Sequence, residues 1–336
     1  MDVFMDLHPL LELLADGGFH SGEELGSSLG ISRTAVWKQI DRLRGMGVEV
    51  HAVTGKGYRL PTMLPLMSES RIFHHLGPHA ESWRGALRLV FSTESTNADA
   101  MQIAQAGSEH YVVIAEHQTK GRGRRGRIWV SPPGANIYMS LLVSFQNGAA
   151  ALEGLSLVAA LLIVDALHKC GYRGFGVKWP NDILLGKKKL AGILLEISGD
   201  LVGSCKVVVG IGLNVKLPPS ASEKIDQPHT DLVSSFDSPP DRDKIASALI
   251  SVLGEGFKRF KSSGFESFRE QWNQLDVYKG TVVEVSAGKN CVRGYVLGVS
   301  GSGALLLETD AGVREVSGGE LMPTLRSAAR ELNNDT

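Results

Sequence analysis

Seven consecutive residues, Gly121-Arg122-Gly123-Arg124-Arg125-Gly126-Arg127, place four guanidinium groups on a backbone that three interleaved glycines leave free to fold closely around a ligand. Arginine is always charged and donates through a planar fork that matches carboxylates and phosphates, while glycine lets backbone N–H groups approach the same oxygens. The chemistry on offer is capture of an anion. The spacing also satisfies G-x-G-x-x-G, but a dinucleotide-binding turn must follow a strand and open a helix, and Ile128-Trp129-Val130-Ser131-Pro132-Pro133 is a poor helix start. A solvated basic loop, or an RGG-like contact with nucleic acid, is the bland alternative. Against it stand the apolar flanks, Tyr111 to Ala115 before and Ile137 to Val143 after, which set the loop into a folded domain.

A second stretch, Val177-Lys178-Trp179-Pro180-Asn181-Asp182, carries a proline that a central strand would exclude. It is therefore a strand end or an edge, where polar side chains can converge. Ile183 to Leu185, a Gly186-Lys187-Lys188 turn and Leu190 to Ile197 predict a hairpin with Lys189 at its mouth and Ala191-Gly192 permitting close approach. Val207 to Leu213 adds a strand ending in Asn214, and Asn136 to Val143 another. Leu87 to Phe91 is a strand running into Ser92-Thr93-Glu94-Ser95-Thr96-Asn97, which opens a helix toward Gln105. Hydroxyls and an amide at a helix N-terminus either cap it or make a polar pocket for an anion or a urea-like group.

The apolar helix from Leu152 to Cys170 is core. Hairpins outnumber βαβ units, so the central region is expected to be α+β, with a mixed or antiparallel sheet and helices on one face. No nucleophile elbow, Walker A pattern or metal spacing is present, and His74, His75 and His79 are expected at the surface. Such a kit suits nucleotidyl transfer, in which positioning and charge neutralisation carry the rate and Mg²⁺ offsets phosphate charge.

The first sixty residues have a different character. Residues 1 to 30 hold six acidic groups and no Lys or Arg, whereas residues 31 to 60 hold six basic groups against Asp41 and Glu49. Leu7, Leu10, Leu11 and Leu14 predict a helix that Gly17-Gly18 stops, Ser21-Gly22-Glu23-Glu24 reads as a capping box, and Ser32 caps a third helix with Val36, Ile40 and Leu43 inward. Arg33, Thr34, Trp37, Lys38 and Arg44 are left on the outer face. Val48 to Val53 and Tyr58 to Leu60 flank Thr54-Gly55-Lys56-Gly57 as a wing. A winged helix-turn-helix results, with Arg33, Thr34, Trp37, Lys38 and Lys56 as candidate DNA contacts.

Across the whole chain of 336 residues the net charge is −1, so any pull on nucleic acid is local. Cys170, Cys205 and Cys291 are few and scattered, as expected of buried thiols in a reducing cytoplasm, and no apolar run has membrane-spanning length. Pro61 to Pro65 reads as a linker, and residues 246 to 272 as helix broken near Gly264. From Val277 onward short β runs return, and the tail after Arg326 is expected to fray.

Taken together, the helix-turn-helix and wing, Ser95-Thr96-Asn97, Gln118 with the arginine loop, Lys178 to Asp182, Lys189 to Gly192 and Gly210 to Asn214 resemble the bifunctional biotin protein ligases that also repress biotin synthesis genes. The resemblance spans nearly the whole chain. It implies a winged helix-turn-helix at residues 1–62, a class II synthetase-like domain with a mixed or antiparallel sheet at 67–274, and an SH3-like β-barrel at 277–326. It further implies that biotin's carboxylate attacks the α-phosphate of ATP to give biotinyl-5′-AMP and pyrophosphate, after which a lysine of a biotin carboxyl carrier protein takes the acyl group.

Carried over by position, Ser95, Thr96, Asn97, Gln118, Arg122, Gly123, Arg124 and Lys189 would contact biotin. Arg124, Arg127, Trp129, Asn181 and Asn214 would serve the adenylate. Lys189, Arg124 and Asp182 would be catalytic, Asp182 either holding Mg²⁺ or accepting the proton of the attacking lysine. The same resemblance implies a homodimer formed through the central sheet when adenylate is bound, operator DNA as partner, a cytoplasmic location and no membrane association. Pro218 to Ser238 departs from the family pattern. The arginine loop is expected to be mobile when empty and to close over the adenylate. A lipoate ligase, or a DNA-binding repressor that senses a ligand without catalysis, would share most of these features.

Overall fold

The computed structural model describes residues 7–61, 66–146, 148, 152–199, 203–287 and 290–323. Most of the expected linker, at 62–65, and the expected frayed tail lie outside these residues. The chain opens with α1 (His8–Leu14), α2 (Gly22–Leu29) and α3 (Arg33–Gly45), then β1 (His51–Val53) and β2 (Gly57–Arg59) paired antiparallel as a wing. Local chemistry sets these boundaries. Glu24 N donates to Ser21 Oγ at 3.1 Å while Ser21 N donates back to Glu24 Oε2 at 2.8 Å, which closes the capping box. Gly30 stops α2 in the left-handed region at φ 66°, and Ala35 N donates to Ser32 Oγ at 3.2 Å to start α3. Leu10, Leu14, Leu25, Val36, Ile40 and Leu43 form a small buried core.

A second unit follows with α4 (Glu69–Leu76), a 3₁₀ segment at Gly77–Trp83, β3 (Leu87–Thr93), α5 (Thr96–Gln105), β4 (His110–Gln118), β5 (Ile137–Phe145) and α6 (Leu155–Lys169). It continues through β6 (Phe175–Lys178), β7 (Asp182–Leu185), β8 (Lys188–Gly199) and β9 (Cys205–Leu213). Two four-residue helices, α7 (Pro219–Ser222) and α8 (Leu232–Ser235), precede α9 (Arg242–Ser263) and α10 (Glu266–Leu275), which part at Gly264 as expected. The seven strands run in the order β3-β4-β5-β9-β8-β7-β6. Only the β3–β4 pair is parallel, so the sheet is mixed and β6, which leads into Pro180, is its edge.

Alternation along the strands splits the apolar side chains between two faces. Ile114, Leu141 and Val209 face the main core with α6 and α9, whereas Val113, Leu142 and Val208 pack against Ala100 and Ala104 of α5. Helices therefore cover both faces, correcting the one-face expectation. The reason is topological: parallel neighbours such as β3 and β4 need a crossover, and that crossover is α5.

The chain ends in β10 (Val282–Ala287), β11 (Asn290–Val299), β12 (Leu305–Thr309), β13 (Gly312–Val316) and β14 (Glu320–Pro323), an antiparallel sheet of order β13-β12-β11-β10-β14. Its two outer strands do not pair with each other among the described residues, so the sheet is open. Val283, Val285, Val296, Leu305 and Leu307 join the same buried cluster as the central helices. Of the cysteines, Cys205 is buried and Cys170 half-buried, but Cys291 is exposed, contrary to expectation, because only the inner face of β11 packs.

The N-terminal unit is not isolated. Phe91 of β3 belongs to the helix-turn-helix core. Beside it, His117 of β4 is 8% exposed and shares a hydrogen bond of 3.0 Å with Ser92 Oγ. Burial, reinforced by the charge of Arg42 on α3, pushes the His117 pKa from its ordinary 6.5 down to about 4. Between those two values the unfolded chain binds a proton that the folded chain refuses, so this contribution is present above pH 6.5 and is lost as pH falls toward 4. Wild type is expected to lose up to roughly 3 kcal/mol more stability than His117→Gln over that interval. Urea titrations of both proteins at stepped pH measure the difference, and parallel curves would contradict it.

Candidate functional site

One cavity of about 350 Å³ opens beside the middle of the large sheet. The N-terminus of α5, the arginine loop, the β6–β7 turn, β8 and β9 wall it, and all thirteen residues carried over as biotin, adenylate or catalytic positions line it.

Its floor is a chain of hydrogen bonds. Thr96 N donates to Gln118 Oε1 at 2.9 Å, Gln118 Nε2 donates to Ser131 Oγ at 3.2 Å, and Ser131 Oγ donates to Trp129 O at 3.0 Å. In the other direction Ser140 Oγ lies 2.8 Å from Thr96 Oγ1 and 2.6 Å from Asn97 Oδ1, and Asn97 Nδ2 donates to Glu196 Oε2 at 2.7 Å. Ser95 begins α5 without a side-chain cap bond, so its hydroxyl is kept for the cavity. The carboxamide of Asn97 rests on Gly210, where any Cβ would overlap it. Ser131, Ser140 and Glu196 escaped the sequence reading. The available signal was a serine breaking the apolar run of β5, where Ser140 is fully buried.

The loop itself is a tight hairpin. Gly123 N donates to Arg127 O at 2.8 Å and Trp129 N to Gly121 O at 2.9 Å. Arg125 takes up a left-handed conformation, φ 56°, at its tip. The arginine side chains of this loop are held by protein groups rather than spread into solvent. Arg122 Nη2 lies 3.2 Å from Glu196 Oε1. Arg124 donates from Nη1 to Asn181 Oδ1 and from Nη2 to Gly319 O, each at 3.3 Å, and Arg125 Nη2 donates to Ser286 O at 3.0 Å. Of these acceptors, Ser286 lies on β10 of the C-terminal sheet and Gly319 immediately precedes β14, next to the pairing of Ser286 with Glu320.

Opposite the loop, Lys189 Nζ stands 2.8 Å from Asp182 Oδ1, both side chains 15% exposed. That approach lacks hydrogen-bond angle, so the contact is ionic. The same ammonium lies 5.5 Å from the Trp129 ring centre. The indole spreads over Gly212 and Gly192: a Cβ at Gly192 would come within 3.0 Å of Trp129 Cζ3 and 3.1 Å of Lys189 Cε, and one at Gly212 would overlap the ring. Trp129 Nε1 is buried with no partner. Asn181 Nδ2 donates to Ile193 O at 2.7 Å, and Asn214 Nδ2 to Thr230 O at 3.1 Å.

The segment that departed from the family pattern completes this wall. Lys189 N donates to Pro228 O at 2.9 Å and Thr230 N to Lys189 O at 3.0 Å, which brings Lys224 to Gln227 and His229 to the cavity. No group of three metal-ligating side chains occurs among the described residues, and His74, His75 and His79 are exposed as expected. The Asp182 carboxylate still fits Mg²⁺, which takes one or two carboxylates and completes its shell with water and phosphate oxygens.

Far from the cavity, Arg33, Thr34 and Lys38 are exposed on α3, Trp37 is 52% exposed rather than buried under the wing, and Lys56 is exposed at the wing turn. Phe19 braces the wing from beneath, its ring 5.9 Å from Lys56 Nζ and 4.9 Å from Arg59 Cζ.

Residues 87–214 match the biotin/lipoate A/B protein ligase family and residues 7–59 an HTH domain. The chain is 38% identical to the bifunctional ligase/repressor BirA of Salmonella typhimurium over 95% of its own length and 97% of that protein's. It is 37% identical to the Escherichia coli protein of the same name, covering 96% of this chain and 97% of the relative. Among solved structures, the biotin protein ligase from Aquifex aeolicus in complex with biotin and ATP matches with a TM-score of 0.61 and 30% identity, over 70% of this chain and 97% of that one.

The packing of Trp129 on Gly212 is directly testable. Gly212→Ala should force the indole away from Lys189 and cost about 1–3 kcal/mol of stability. The expected readout is a shifted tryptophan emission and near-ultraviolet dichroism; an unchanged spectrum and midpoint would refute the geometry.

Proposed function

This chain belongs to the family of bifunctional biotin protein ligases and repressors, and on that premise we propose how its residues divide the work. The protein is an ATP-dependent biotin protein ligase that forms biotinyl-5′-AMP and transfers biotin to a lysine of a carrier protein, and a DNA-binding repressor. One observation supports the residue assignment above the rest. A single cavity has a neutral, hydroxyl- and amide-lined end resting on Gly210 and a cationic end resting on Gly212. Two residues of β-strand separate these points by roughly 7 Å. A ligand with a urea-like head and a carboxylate tail would span them.

In this reading Ser95, Thr96, Asn97 and Gln118 take the ureido head, with Arg122 and Gly123 closing over it. Lys189 and Arg124 hold the carboxylate against the α-phosphate. A carboxylate oxygen forms the new bond to phosphorus as the bond to pyrophosphate breaks, and the negative charge gathering on the phosphoryl oxygens is met by donors already in place. Arg127, Trp129, Asn181 and Asn214 serve the nucleotide, joined by the Lys224 to Gln227 segment. Asp182 would hold Mg²⁺, which supplies neutralisation of phosphate charge. In the second half-reaction the amine of the carrier lysine forms an amide with the acyl carbon and AMP leaves. Asp182 is equally placed to accept the amine's proton.

Regulation is read in the same way. The stretch of β8 from Leu195 to Gly199 pairs with β9 on one side and lies beyond the end of β7 on the other. It is an open edge with Ile197 46% exposed, suited to pairing with a second copy when the adenylate is bound. Two copies would present two recognition helices, carrying Arg33, Thr34, Trp37 and Lys38, and two Lys56 wings to a two-half-site operator. We assign residues 1–62, 67–274 and 277–326 to the three domains, the last as a small SH3-like sheet that the bulge between Val296 and Gly298 helps to curl. No described helix is long and apolar enough to cross a membrane.

Biotin-dependent exchange of pyrophosphate into ATP tests the ligase reading, with lipoate as the competing acid. Lys189→Ala is expected to slow exchange on the order of 10²- to 10³-fold, as for loss of one well-placed donor. Exchange with lipoate but not biotin, or a Lys189→Ala rate equal to wild type, would overturn the assignment. For the repressor, nuclease protection of DNA upstream of biotin-synthesis genes should increase on adding biotin with ATP; equal protection without them would count against ligand-dependent repression.

A further inference from the structure

We propose that Glu196 is a positioning residue for the first half-reaction: its carboxylate fixes both Asn97 and Arg122 and so sets which hydrogen-bonding groups the neutral end of the cavity offers to the ligand. The inference rests on the biotin reading above and concerns a residue that reading leaves without a role.

Glu196 lies on β8, four residues past Gly192, the last β7 pairing partner, and Ile193 between them donates its N–H to Asn181 O. Its side chain is 30% exposed and faces the start of the arginine loop. Oε2 accepts from Asn97 Nδ2 at 2.7 Å and from Arg122 Nη2 at 3.3 Å, and Oε1 lies 3.2 Å from the same guanidinium nitrogen. An acceptor this strong decides which way the Asn97 carboxamide points, since the alternative orientation would set Oδ1 against a carboxylate.

The consequence runs along the floor. With Nδ2 held by Glu196, Oδ1 faces Ser140, whose single proton goes to it over the shorter 2.6 Å contact. Ser140 Oγ is then an acceptor toward Thr96, whose hydroxyl has Ser140 on one side and Gln118 Oε1, at 3.2 Å, on the other. Gln118 Oε1 also accepts from Thr96 N, which turns Nε2 toward Ser131. The orientations of Asn97 and Ser140 thus descend from one negative charge, while the Thr96 N–H fixes Gln118 beside them. A urea-like head, with two N–H donors and one carbonyl, can be read only by a fixed pattern of this kind.

The second consequence is electrostatic. Paired with Glu196, Arg122 contributes no net positive charge at the neutral end, whereas Arg124, Arg127, Lys189 and Lys224 outnumber the carboxylates Asp182 and Asp226 in the rest of the lining. The ligand's carboxylate is drawn to one end only, which orients the molecule before any bond is made.

The test is steady-state pyrophosphate exchange with Glu196→Ala and Glu196→Gln, varying biotin and ATP separately, after thermal melts of each protein. Loss of a charged hydrogen bond is expected to raise the biotin KM about tenfold or more in Glu196→Ala while the ATP KM changes less than about twofold. Glu196→Gln keeps a carbonyl for Asn97 but not the ion pair, so it should fall between. Adding Arg122→Ala to Glu196→Ala should be no worse than the poorer single variant. A biotin KM equal to wild type in both variants, or equal losses for biotin and ATP tracking a lowered melting temperature, would overturn the role. If wild type itself shows no biotin-dependent exchange, the ligase reading fails; if wild type exchanges normally and the variants match it, only the role of Glu196 fails.

Discussion

Four guanidinium groups on seven residues repel one another, and the architecture around the cavity is the resolution of that repulsion. At an effective dielectric constant near 20, two unit charges about 8 Å apart cost about 2 kcal/mol. A basic loop left to solvent would relieve this by spreading outward. Here each of three arginines is drawn in a different direction: Arg122 to Glu196 on β8, Arg124 across Asn181 to the carbonyl of Gly319, and Arg125 to the carbonyl of Ser286. Glycine permits the folding this demands, and Arg125 accepts a left-handed backbone at the one position where its own side chain is anchored.

The loop therefore needs two walls that come from distant parts of the chain. The central sheet supplies one and the C-terminal sheet the other, and the two are held in register by a shared core rather than by surface contacts. Trp179, 2% exposed, donates from Nε1 to Gly303 O at 3.1 Å, and Gly303 lies against Gly154 at the start of α6, where a side chain would not fit. Because Val283, Val285, Val296 and Leu305 pack into the same cluster as α6 and α9, the carbonyls that receive Arg124 and Arg125 are fixed relative to Lys189. The C-terminal sheet thus offers backbone acceptors to the arginine loop, and such a role leaves no trace in residue type.

That explains what the sequence made legible and what it withheld. Local devices were readable because their determinants are neighbours in the chain: the Ser21–Glu24 box, the Ser32 cap, the apolar stripe of α3, the Gly264 break. The cavity residues were readable as motifs, since glycine beside arginine and Lys-Trp-Pro-Asn-Asp are uncommon pairings with a chemical purpose. Glu196 was not, because in period-two alternation it is one more polar residue on a strand, and its partners Asn97 and Arg122 are 99 and 74 positions away. The Pro218 to Ser238 segment was opaque for a similar reason: it reaches the site through main-chain bonds to Lys189, which any sequence can make. The face occupied by α5 was misread because counting hairpins overlooks a single parallel crossover.

The ion pair at Lys189 constrains how an anion can bind there. Lys189 already has an anionic partner in Asp182 at 2.8 Å and an aromatic face in Trp129 on the other side. A ligand carboxylate or phosphate entering there brings its own negative charge toward Asp182, and with both groups only 15% exposed the repulsion is poorly screened by water. Binding at Lys189 and an unaltered Asp182 are thus opposed. The opposition is relieved if a cation shared with the phosphates neutralises Asp182 as the anion arrives. That would link the two halves of the reaction through one carboxylate. On the roles proposed above, the carboxylate that is neutralised while the acid is activated is also the candidate base for the attacking carrier amine.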